Sequence, residues 1–286
     1  MTAGCDRSSG AREIAPGVIV LTSPAYALNS GIVTGLSAAA LIDPGYFPSD
    51  LDRIATYLDE RGLEASHVVL THSDWDHVVG PSRFPRARIV ASSRYPERTA
   101  SEAGRIERSL SEFDRKLYVR RDPPAVIPRP DSLVGAPSDL VWEGPRTKLL
   151  PAGGHTPDGL MALVHDCRVL FAGDYLSDCE IPFVGESVAS YLATLGSIRS
   201  LLSRGEIEQL VPGHGDLCGR EGIEERLEED EDYLRRLQAW VGETRRSVET
   251  LEGVLERADE VVFRKGWENP DVRAEHRANV ARVFAG

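Results

Sequence analysis

The segment that decides the fold is Thr71-His72-Ser73-Asp74-Trp75-Asp76-His77, which follows a short apolar run at residues 67–70. It places four potential metal ligands within six residues, at positions 72, 74, 76 and 77. On a straight α-helix these four side chains would point at roughly 0°, 200°, 40° and 140°, so they would share no face. A loop that leaves a strand can instead fold all four around one centre. The segment therefore predicts a metal-binding loop after a β-strand.

Three more predicted strand ends carry ligand-type residues in glycine-rich turns. These turns are Gly153-Gly154-His155, Ala172-Gly173-Asp174 and Pro212-Gly213-His214-Gly215. Imidazoles and carboxylates suit a divalent cation, and the neighbouring glycines let the backbone turn sharply beside it. A single loop histidine is more often a surface or hydrogen-bonded residue. Because four of the seven histidines lie at strand ends together with aspartates, the pattern favours a metal centre.

Predicted strands and helices are mixed along the chain, which indicates an α+β fold. Apolar runs predict strands at 14–21, 28–34, 38–42, 67–70, 88–91, 140–143, 148–151, 160–164, 168–172 and 207–211. Helices are predicted at 94–116, at 187–202 and at 51–58, the last capped by Ser49 or Asp50. The proline-rich residues 120–138 predict a long loop of the kind that often forms a lid or a binding segment.

The composition changes after Gly219, where eight of the twelve residues 221–232 are acidic. A narrow apolar stripe, interrupted at Asp230, predicts a helix that packs on the core; its members are Ile223, Leu227, Leu234, Leu237 and Val241. We therefore expect a catalytic domain at residues 14–218 and a helical C-terminal extension at 219–286. His276, within that extension, is expected on an exposed helix face.

The net charge excludes one class of partner. The chain has 33 basic and 45 acidic residues, for a formal charge of −12, which repels a polyanion and argues against nucleic-acid binding. A local basic channel would need the cations between residues 105 and 121, but Glu107, Glu112 and Asp114 are interleaved with them. We interpret this stretch as a solvated helix face. The oligomeric state is left open.

Cysteine spacing and hydropathy bear on the compartment. The four cysteines form no C-x-x-C pair and no disulfide framework, which favours a reducing, cytoplasmic setting. The longest apolar runs have five residues, whereas a membrane span needs about 20, so no membrane insertion is expected. Residues 1–13 lack the apolar stretch of a secretory signal and are expected to form a short disordered lead-in.

The ordered motifs resemble the metallo-β-lactamase superfamily, whose pattern is T-H-x-H-x-D-H after a strand, then a His after a Gly pair, then G-D and G-H-G. The matching stretches here are THSDWDH, GGHTPDG, AGDYLSD and PGHGD, in that order, within about residues 14–218. The resemblance implies a four-layer αββα sandwich with a metal centre at one edge between its sheets. It also implies a hydrolase in which a metal-bound hydroxide attacks a small ester, thioester, lactone or phosphodiester.

The resemblance also implies roles for individual residues. A first metal site would use His72, Asp74 and His155, and a second would use Asp76, His77 and His214, with Asp174 bridging the two ions. Asp76 would also be catalytic. Asp43, in the segment LIDPG, and Thr71 would support the ligands from behind, although a helix-cap role for Thr71 is an equal alternative.

Asp74 departs from the family pattern, which usually has His at this position. Three carboxylates against two divalent ions leave a formal charge near +1 instead of about +2, which weakens Lewis acidity and favours harder metals. Two divalent ions are expected, zinc first, with iron or manganese open. Since a carboxylate at this position occurs in diiron branches of the family, a diiron oxidoreductase is the alternative function. A non-enzymatic binding protein with a defective site is a third. Ser177 stands where the lactonase branch has a catalytic Tyr, which lowers the lactonase interpretation.

Overall fold

A computed structural model of the chain describes residues 5–6, 11–247 and 250–286. Its β-strands, in the described residues, are β1 Cys5–Asp6, β2 Ala11–Ala15, β3 Val18–Thr22, β4 Asn29–Thr34, β5 Ala38–Ile42, β6 Glu64–Val69, β7 Arg88–Ser92, β8 Ser132–Val134, β9 Ser138–Asp139, β10 Thr147–Pro151, β11 Leu160–Val164, β12 Val169–Gly173, β13 Gln209–Pro212 and β14 Cys218–Gly219. The α-helices are α1 Pro48–Asp59, α2 Tyr95–Leu117, α3 Val188–Ser203, α4 Arg220–Thr244, α5 Leu251–Glu256 and α6 Pro270–Ala285.

The strands form two sheets. Strands β1 to β8 lie side by side in chain order in one sheet, and the other sheet has the order β14-β13-β12-β11-β10-β9. Side chains alternate between the two faces of each strand. In β6, for example, Val68 packs with the α1 and α2 side chains, whereas Val69 packs with residues of the opposite sheet. Helices α3 to α6 cover the outer face of the second sheet. The layers are therefore helix, sheet, sheet and helix, and the predicted αββα fold is confirmed.

Strand direction brings the predicted ligands to one edge. Strands β5 and β6 run parallel in the first sheet. Strands β10 and β12 are both antiparallel to β11, and β12 is parallel to β13. The carboxyl ends of these strands meet, and loops that leave them carry residues 43, 71–77, 155, 174 and 214. A hydrogen bond of 2.7 Å from Leu160 N to Thr71 O joins the two sheets there.

Several local expectations were wrong, each for a physical reason. The run 14–21 is two strands, because Pro16 and Gly17 (φ 71°) form the hairpin turn between β2 and β3. Helix α1 starts at Pro48 without a side-chain cap, and Asp50 instead accepts a 2.6 Å hydrogen bond from Ser23. Residues 140–143 form no strand; the pairing with β10 is made by β9.

The predicted lead-in lies in part outside the described residues, namely at 1–4 and 7–10. For the remainder it was wrong, because Cys5–Asp6 pairs with β2, which begins at Ala11. None of the helices within residues 11–247 and 250–286 is both long and apolar enough to cross a bilayer.

The C-terminal helices pack on the second sheet as the apolar stripe predicts. All five stripe residues are buried in one cluster with the strand and α3 side chains. The interruption at Asp230 is resolved by Lys265, whose Nζ lies 2.7 Å from the buried carboxylate. The expectation for His276 was wrong: its ring is buried between Tyr233 Oη, at 2.9 Å, and Ala258 O, at 3.0 Å.

Candidate metal centre

Asp43 anchors the loop that carries the first four ligand-type residues. It follows β5 at φ 42°, and its carboxylate accepts hydrogen bonds from Thr71 N at 2.8 Å and from Thr71 Oγ1 at 2.5 Å. The same carboxylate lies 2.8 Å from His77 Nδ1. Because β5 and β6 are adjacent, one buried side chain thus fixes both ends of the loop. Thr71 lies in this loop and caps no helix.

The four histidines share one arrangement, in which Nδ1 is bonded to an acceptor and Nε2 points to a common centre. Thr71 Oγ1 already donates to Asp43, so it accepts from His72 Nδ1 at 3.0 Å. The other Nδ1 atoms face acceptors at 2.8–2.9 Å: Asp43 for His77, Phe183 O for His155 and Tyr26 O for His214. Such partners set the tautomer and the ring orientation of metal-binding histidines.

The first predicted site forms a compact trio of donor atoms, from His72, Asp74 and His155. Asp74 Oδ2 lies 3.5 Å from His72 Nε2 and 3.4 Å from His155 Nε2. The second predicted site, from Asp76, His77 and His214, is equally compact. There Asp76 Oδ2 lies 3.2 Å from His214 Nε2 and 3.9 Å from His77 Nε2. The sequence therefore assigned both trios to residues that the fold brings together.

Asp174 lies between the two trios with one oxygen toward each. Its Oδ2 lies 3.5 Å from His72 Nε2 and 3.3 Å from His155 Nε2. Its Oδ1 lies 3.2 Å from His77 Nε2 and 3.7 Å from His214 Nε2. A carboxylate in this position could be shared by two neighbouring cations.

The donor set fits divalent metal ions. Within the described part of the chain, the Nε2 atoms of His72, His77 and His155 and Asp174 Oδ1 are buried without a hydrogen-bond partner, which is costly unless a ligand satisfies them. A tetrahedral ion with bonds of about 2.0–2.1 Å sets its ligand atoms about 3.3 Å apart. Most of the separations above lie close to that value.

Without metal, the cluster holds protons. Burial alone would lower the pKa of His155, but Asp174 and Asp74 raise it to about 10. Burial is likewise outweighed at His214, where Asp174 and Asp76 raise the pKa to about 10. Burial would raise the pKa of Asp174, yet His77 and His214 hold it well below its usual range. Ionised carboxylates facing imidazolium rings form a place that a cation can take, with release of protons.

A buried arginine that the sequence analysis did not identify completes the first trio. Arg98, on α2, donates from Nη2 to Asp74 Oδ1 at 2.5 Å and from Nη1 to Asp158 Oδ1 at 3.1 Å. It also donates to Ser73 Oγ at 3.0 Å. Arg98 thus joins the loop of Asp74 to the loop of His155, because Asp158 lies three residues after that histidine. The available signal was Arg98 on the inner stripe of α2 with Tyr95 and Ile106.

The basic stretch is less solvated than expected. Arg105 donates to Asp74 Oδ1 at 3.1 Å and lines the cavity beside the ligands. Arg121 is largely buried, pairs with Asp114 at 2.8 Å and donates to Tyr46 O. The interpretation as a solvated face was therefore wrong for Arg121, whereas Arg105 stays about half exposed although it pairs with Asp74.

Close backbone approaches complete the centre. A Cβ at Gly213 would collide with Asp174 Oδ1 and lie 3.2 Å from His77 Cε1. Tyr175, one residue after Asp174, accepts from His155 N at 3.0 Å and donates to Gly153 O at 2.7 Å. Its buried hydroxyl therefore holds the glycine turn that carries His155.

A cavity of about 270 Å³ opens onto the trios. Its apolar walls include Tyr26, Trp75, Phe183 and Val272. Its polar lining comes from the ligand-type side chains together with Arg105, Ser109, Glu180, Asn269 and Asp271. Residues 269–272 belong to α6 and the turn before it, so the C-terminal extension forms part of the cavity wall.

Comparison with known proteins agrees with this geometry. A model of the metallo-beta-lactamase superfamily matches residues 25–242, more than half of the chain. The chain belongs to this superfamily. Membership confirms the predicted fold and the predicted enzyme class, a metallo-β-lactamase-fold hydrolase. Members of the superfamily typically bind divalent metals, in keeping with the donor clusters.

One curated relative and two solved structures give further detail. The acyl-coenzyme A thioesterase MBLAC2 of Bos taurus is 26% identical over 208 residues, which cover 67% of this chain and 71% of the relative. The sec-alkylsulfatase Pisa1 from Pseudomonas sp. superposes with a TM-score of 0.70 at 17% identity, over 96% of this chain and 49% of that one. The chain thus spans about half the length of the alkylsulfatase.

The second structure is a metallo-beta-lactamase from Pontibacter korlensis, with a TM-score of 0.58 at 17% identity. It is covered over 96% of its length by 76% of this chain. At such identities these structures show the fold alone. The oxidoreductase alternative receives no support from these relatives.

Proposed function

We propose that this metallo-β-lactamase-fold protein is a metal-dependent hydrolase that cleaves a small ester or thioester. The observation that carries the proposal is the position of Asp174, whose two carboxylate oxygens face two different trios of largely buried donor groups. Such a set is suited to two divalent ions, which together would stabilise the attacking oxygen and the negative charge that develops on the substrate.

The two ions would divide between the two trios, which offer the same types of ligand. His72, Asp74 and His155 would hold one ion and Asp76, His77 and His214 the other, with Asp174 between them. When bound, such ions act as Lewis acids and make a nucleophile available at neutral pH. Because each trio offers two imidazoles and one carboxylate, we propose zinc in both sites, with manganese or iron also accepted at the first site, where Asp74 stands in place of the usual third imidazole.

Arg98 changes the charge balance expected from the sequence. Arg98 offsets part of the negative charge of Asp74 and shares its own charge with the buried Asp158, so the formal charge of the centre with two ions would lie between about +1 and about +2. Lewis acidity should then be closer to that of a three-histidine site than the three carboxylates alone would allow, although the ligand atom is still a hard oxygen. Asp76, which borders the cavity, is the carboxylate that we propose to orient the nucleophile.

The cavity favours a substrate with an apolar arm and a negative charge. Tyr26, Trp75 and Phe183 offer apolar wall area to an acyl group. Arg105, about half exposed at the same cavity, is placed to meet a negatively charged part of the substrate. The thioesterase named among the relatives acts, by its name, on acyl-coenzyme A, which combines the two features.

The experiment is a substrate panel on protein freed of metal and reloaded with zinc, manganese or iron. Acyl-coenzyme A thioesters of increasing chain length, neutral p-nitrophenyl esters and secondary alkyl sulfates would be compared. We expect hydrolysis of the thioesters and esters, lost on metal removal and restored by at least one metal. Asp74→Asn and Asp76→Asn should each remove one of two bound ions. A protein that binds no metal, or hydrolyses none of the esters when loaded, would contradict the proposal.

A further inference from the structure

The segment 182–186 lies directly against the turn that carries His155. Phe183 O accepts from His155 Nδ1 at 2.9 Å, and the amides of Gly185 and Glu186 donate to Gly154 O at 3.1 and 3.0 Å. A Cβ at Gly185 would collide with His155 O. The ring of His155 therefore takes its orientation from the backbone of this segment.

On its other side, the segment is held by α6. Asn279 Nδ2 donates to Pro182 O at 2.7 Å, and Asn279 Oδ1 accepts from Val184 N at 2.9 Å. These two bonds bracket Phe183, the residue whose carbonyl binds the histidine ring. Arg282, one turn later on α6, donates to Val184 O. One fully buried amide side chain thus fixes the peptide units on both sides of Phe183.

Asn279 is itself fixed by a buried polar network. Its Nδ2 also donates to Tyr233 Oη at 3.1 Å. Tyr233 Oη lies 2.9 Å from His276 Nδ1, and His276 Nε2 lies 3.0 Å from Ala258 O. These partners come from α4, from α6 and from the turn after α5. The amide can therefore not rotate without leaving buried polar groups unpaired, which is costly.

We propose that Asn279 is a positioning residue for His155, through which the C-terminal extension sets the metal affinity of the first site. This inference rests on the proposed role of His155 as a metal ligand. Residue 279 lies beyond the part of the chain that the superfamily model matches, so the site would depend on a group that the shared motifs do not supply. Partners one step behind a ligand commonly change metal affinity by 10–100-fold. For Asn279, which acts through one peptide unit more, we expect about tenfold.

The test is a zinc titration of the metal-free, full-length protein against a chromophoric chelator, which yields two dissociation constants. In Asn279→Ala one constant should rise by about tenfold and the other should stay within twofold of wild type, because Asp43 and Tyr26, not the 182–186 segment, hold the rings of His77 and His214. Amide hydrogen exchange on the metal-free protein adds a readout independent of zinc: the amides of Gly185 and Glu186 should exchange faster.

Val280→Ala is the matched control. Val280 is the next residue on α6 and is also fully buried, so its truncation weakens the packing of the same helix without removing a hydrogen bond to the segment. It should leave both zinc constants unchanged. Arg282→Met, at a side chain 40% exposed, removes the bond to Val184 and a long ion pair with Glu275 at 3.9 Å. It should shift the same constant in the same direction by less, which keeps the test valid if Asn279→Ala does not fold.

The possible outcomes separate the two proposals. Wild-type protein that binds no zinc contradicts the proposed function. Wild type with two sites and unchanged constants in both Asn279→Ala and Arg282→Met overturns the positioning role. Equal weakening by Asn279→Ala and Val280→Ala also overturns it, because the effect would then follow the stability of α6 alone.

Discussion

Arg98 and Asp74 form a buried pair in which Nη2 of the arginine lies 2.5 Å from Oδ1 of the aspartate. The other carboxylate oxygen of Asp74 is left to face the two histidines of the first trio. The two oxygens of Asp74 thus correspond to the two nitrogens of a metal-binding histidine, of which one binds the metal and the other is held by a hydrogen-bond partner. The Arg98–Asp74 pair can therefore replace the histidine that the family usually has at this position, because it offers one ligand atom and carries almost no net charge.

Arg98→Met should destabilise the metal-free protein by about 3 kcal/mol, since breaking a buried ion pair from one side leaves uncompensated charge. Asp158 is fully buried and would lose its cation, while Asp74 keeps Arg105. Urea unfolding in the presence of a chelator measures the effect. Arg108→Met, at an exposed position of the same helix, should change the free energy of unfolding by less than about 0.5 kcal/mol. Equal effects of the two variants would contradict a stabilising pair.

Asp74→His should lower zinc affinity at the first site, although imidazole is the softer and more usual zinc ligand. A metal-binding imidazole needs an acceptor for its second nitrogen, whereas Arg98 and Arg105 offer only donors at this position. Zinc content after dialysis against a weak chelator should fall from two ions toward one. Tighter zinc binding in Asp74→His would show that the arginines do not govern the choice of ligand.

Gly213→Ala should reduce metal content at both sites. An added Cβ would meet Asp174 Oδ1 and His77, so the shared carboxylate would have to move away from the donor atoms of both trios. Metal analysis would show the loss. Gly196→Ala, in α3 with open space around its Cα, is the control and should be neutral or stabilising by up to about 1 kcal/mol. Full metal content in Gly213→Ala would contradict the bridging position of Asp174.

Metal-free protein should lose stability as the pH rises from about 6.5 toward 10. Burial lowers the pKa of His155 and of His214, but Asp174 and its neighbours outweigh burial and raise both pKa values to about 10. In an unfolded chain the pKa of histidine is near 6.5. The folded form therefore binds more protons in this window, and their contribution is lost as these groups deprotonate. Thermal unfolding with and without chelator tests this; metal-saturated protein should lack the trend. Rising stability of the metal-free form across the window would refute it.

The sequence identified the edge of the fold where the ligands meet, because local signals there are strong. Strand ends followed by glycine and a ligand-type residue recur at positions 155, 174 and 214, and each lies where the motif order predicts. The apolar stripe of α4 could also be predicted, since Ile223 and the other stripe residues repeat at helical spacing. These features depend on residues close together in the chain.

What the sequence did not disclose depends on distant contacts. Arg98 lies 24 residues from Asp74 and 60 from Asp158, so its position on the inner stripe of α2 marks it as buried but does not indicate its partners. His276 was predicted to lie on an exposed helix face, because the sequence does not show that its hydrogen-bond partners come from other segments of the chain. Buried polar groups are set by partners that only the folded chain brings within reach.

Because α6 and the 182–186 segment are hydrogen-bonded to each other, one cannot be replaced by the corresponding part of another protein without affecting the other. A chimera that keeps residues 14–218 but takes its C-terminal helices from another member of the superfamily would lose the bonds from Asn279 and Arg282 to Pro182 and Val184. The same exchange would replace Val272 and Asp271 in the cavity wall. We therefore expect replacement of the C-terminal helices to change substrate range and metal affinity together. A chimera designed to change only one of these properties should transfer the 182–186 segment together with α6.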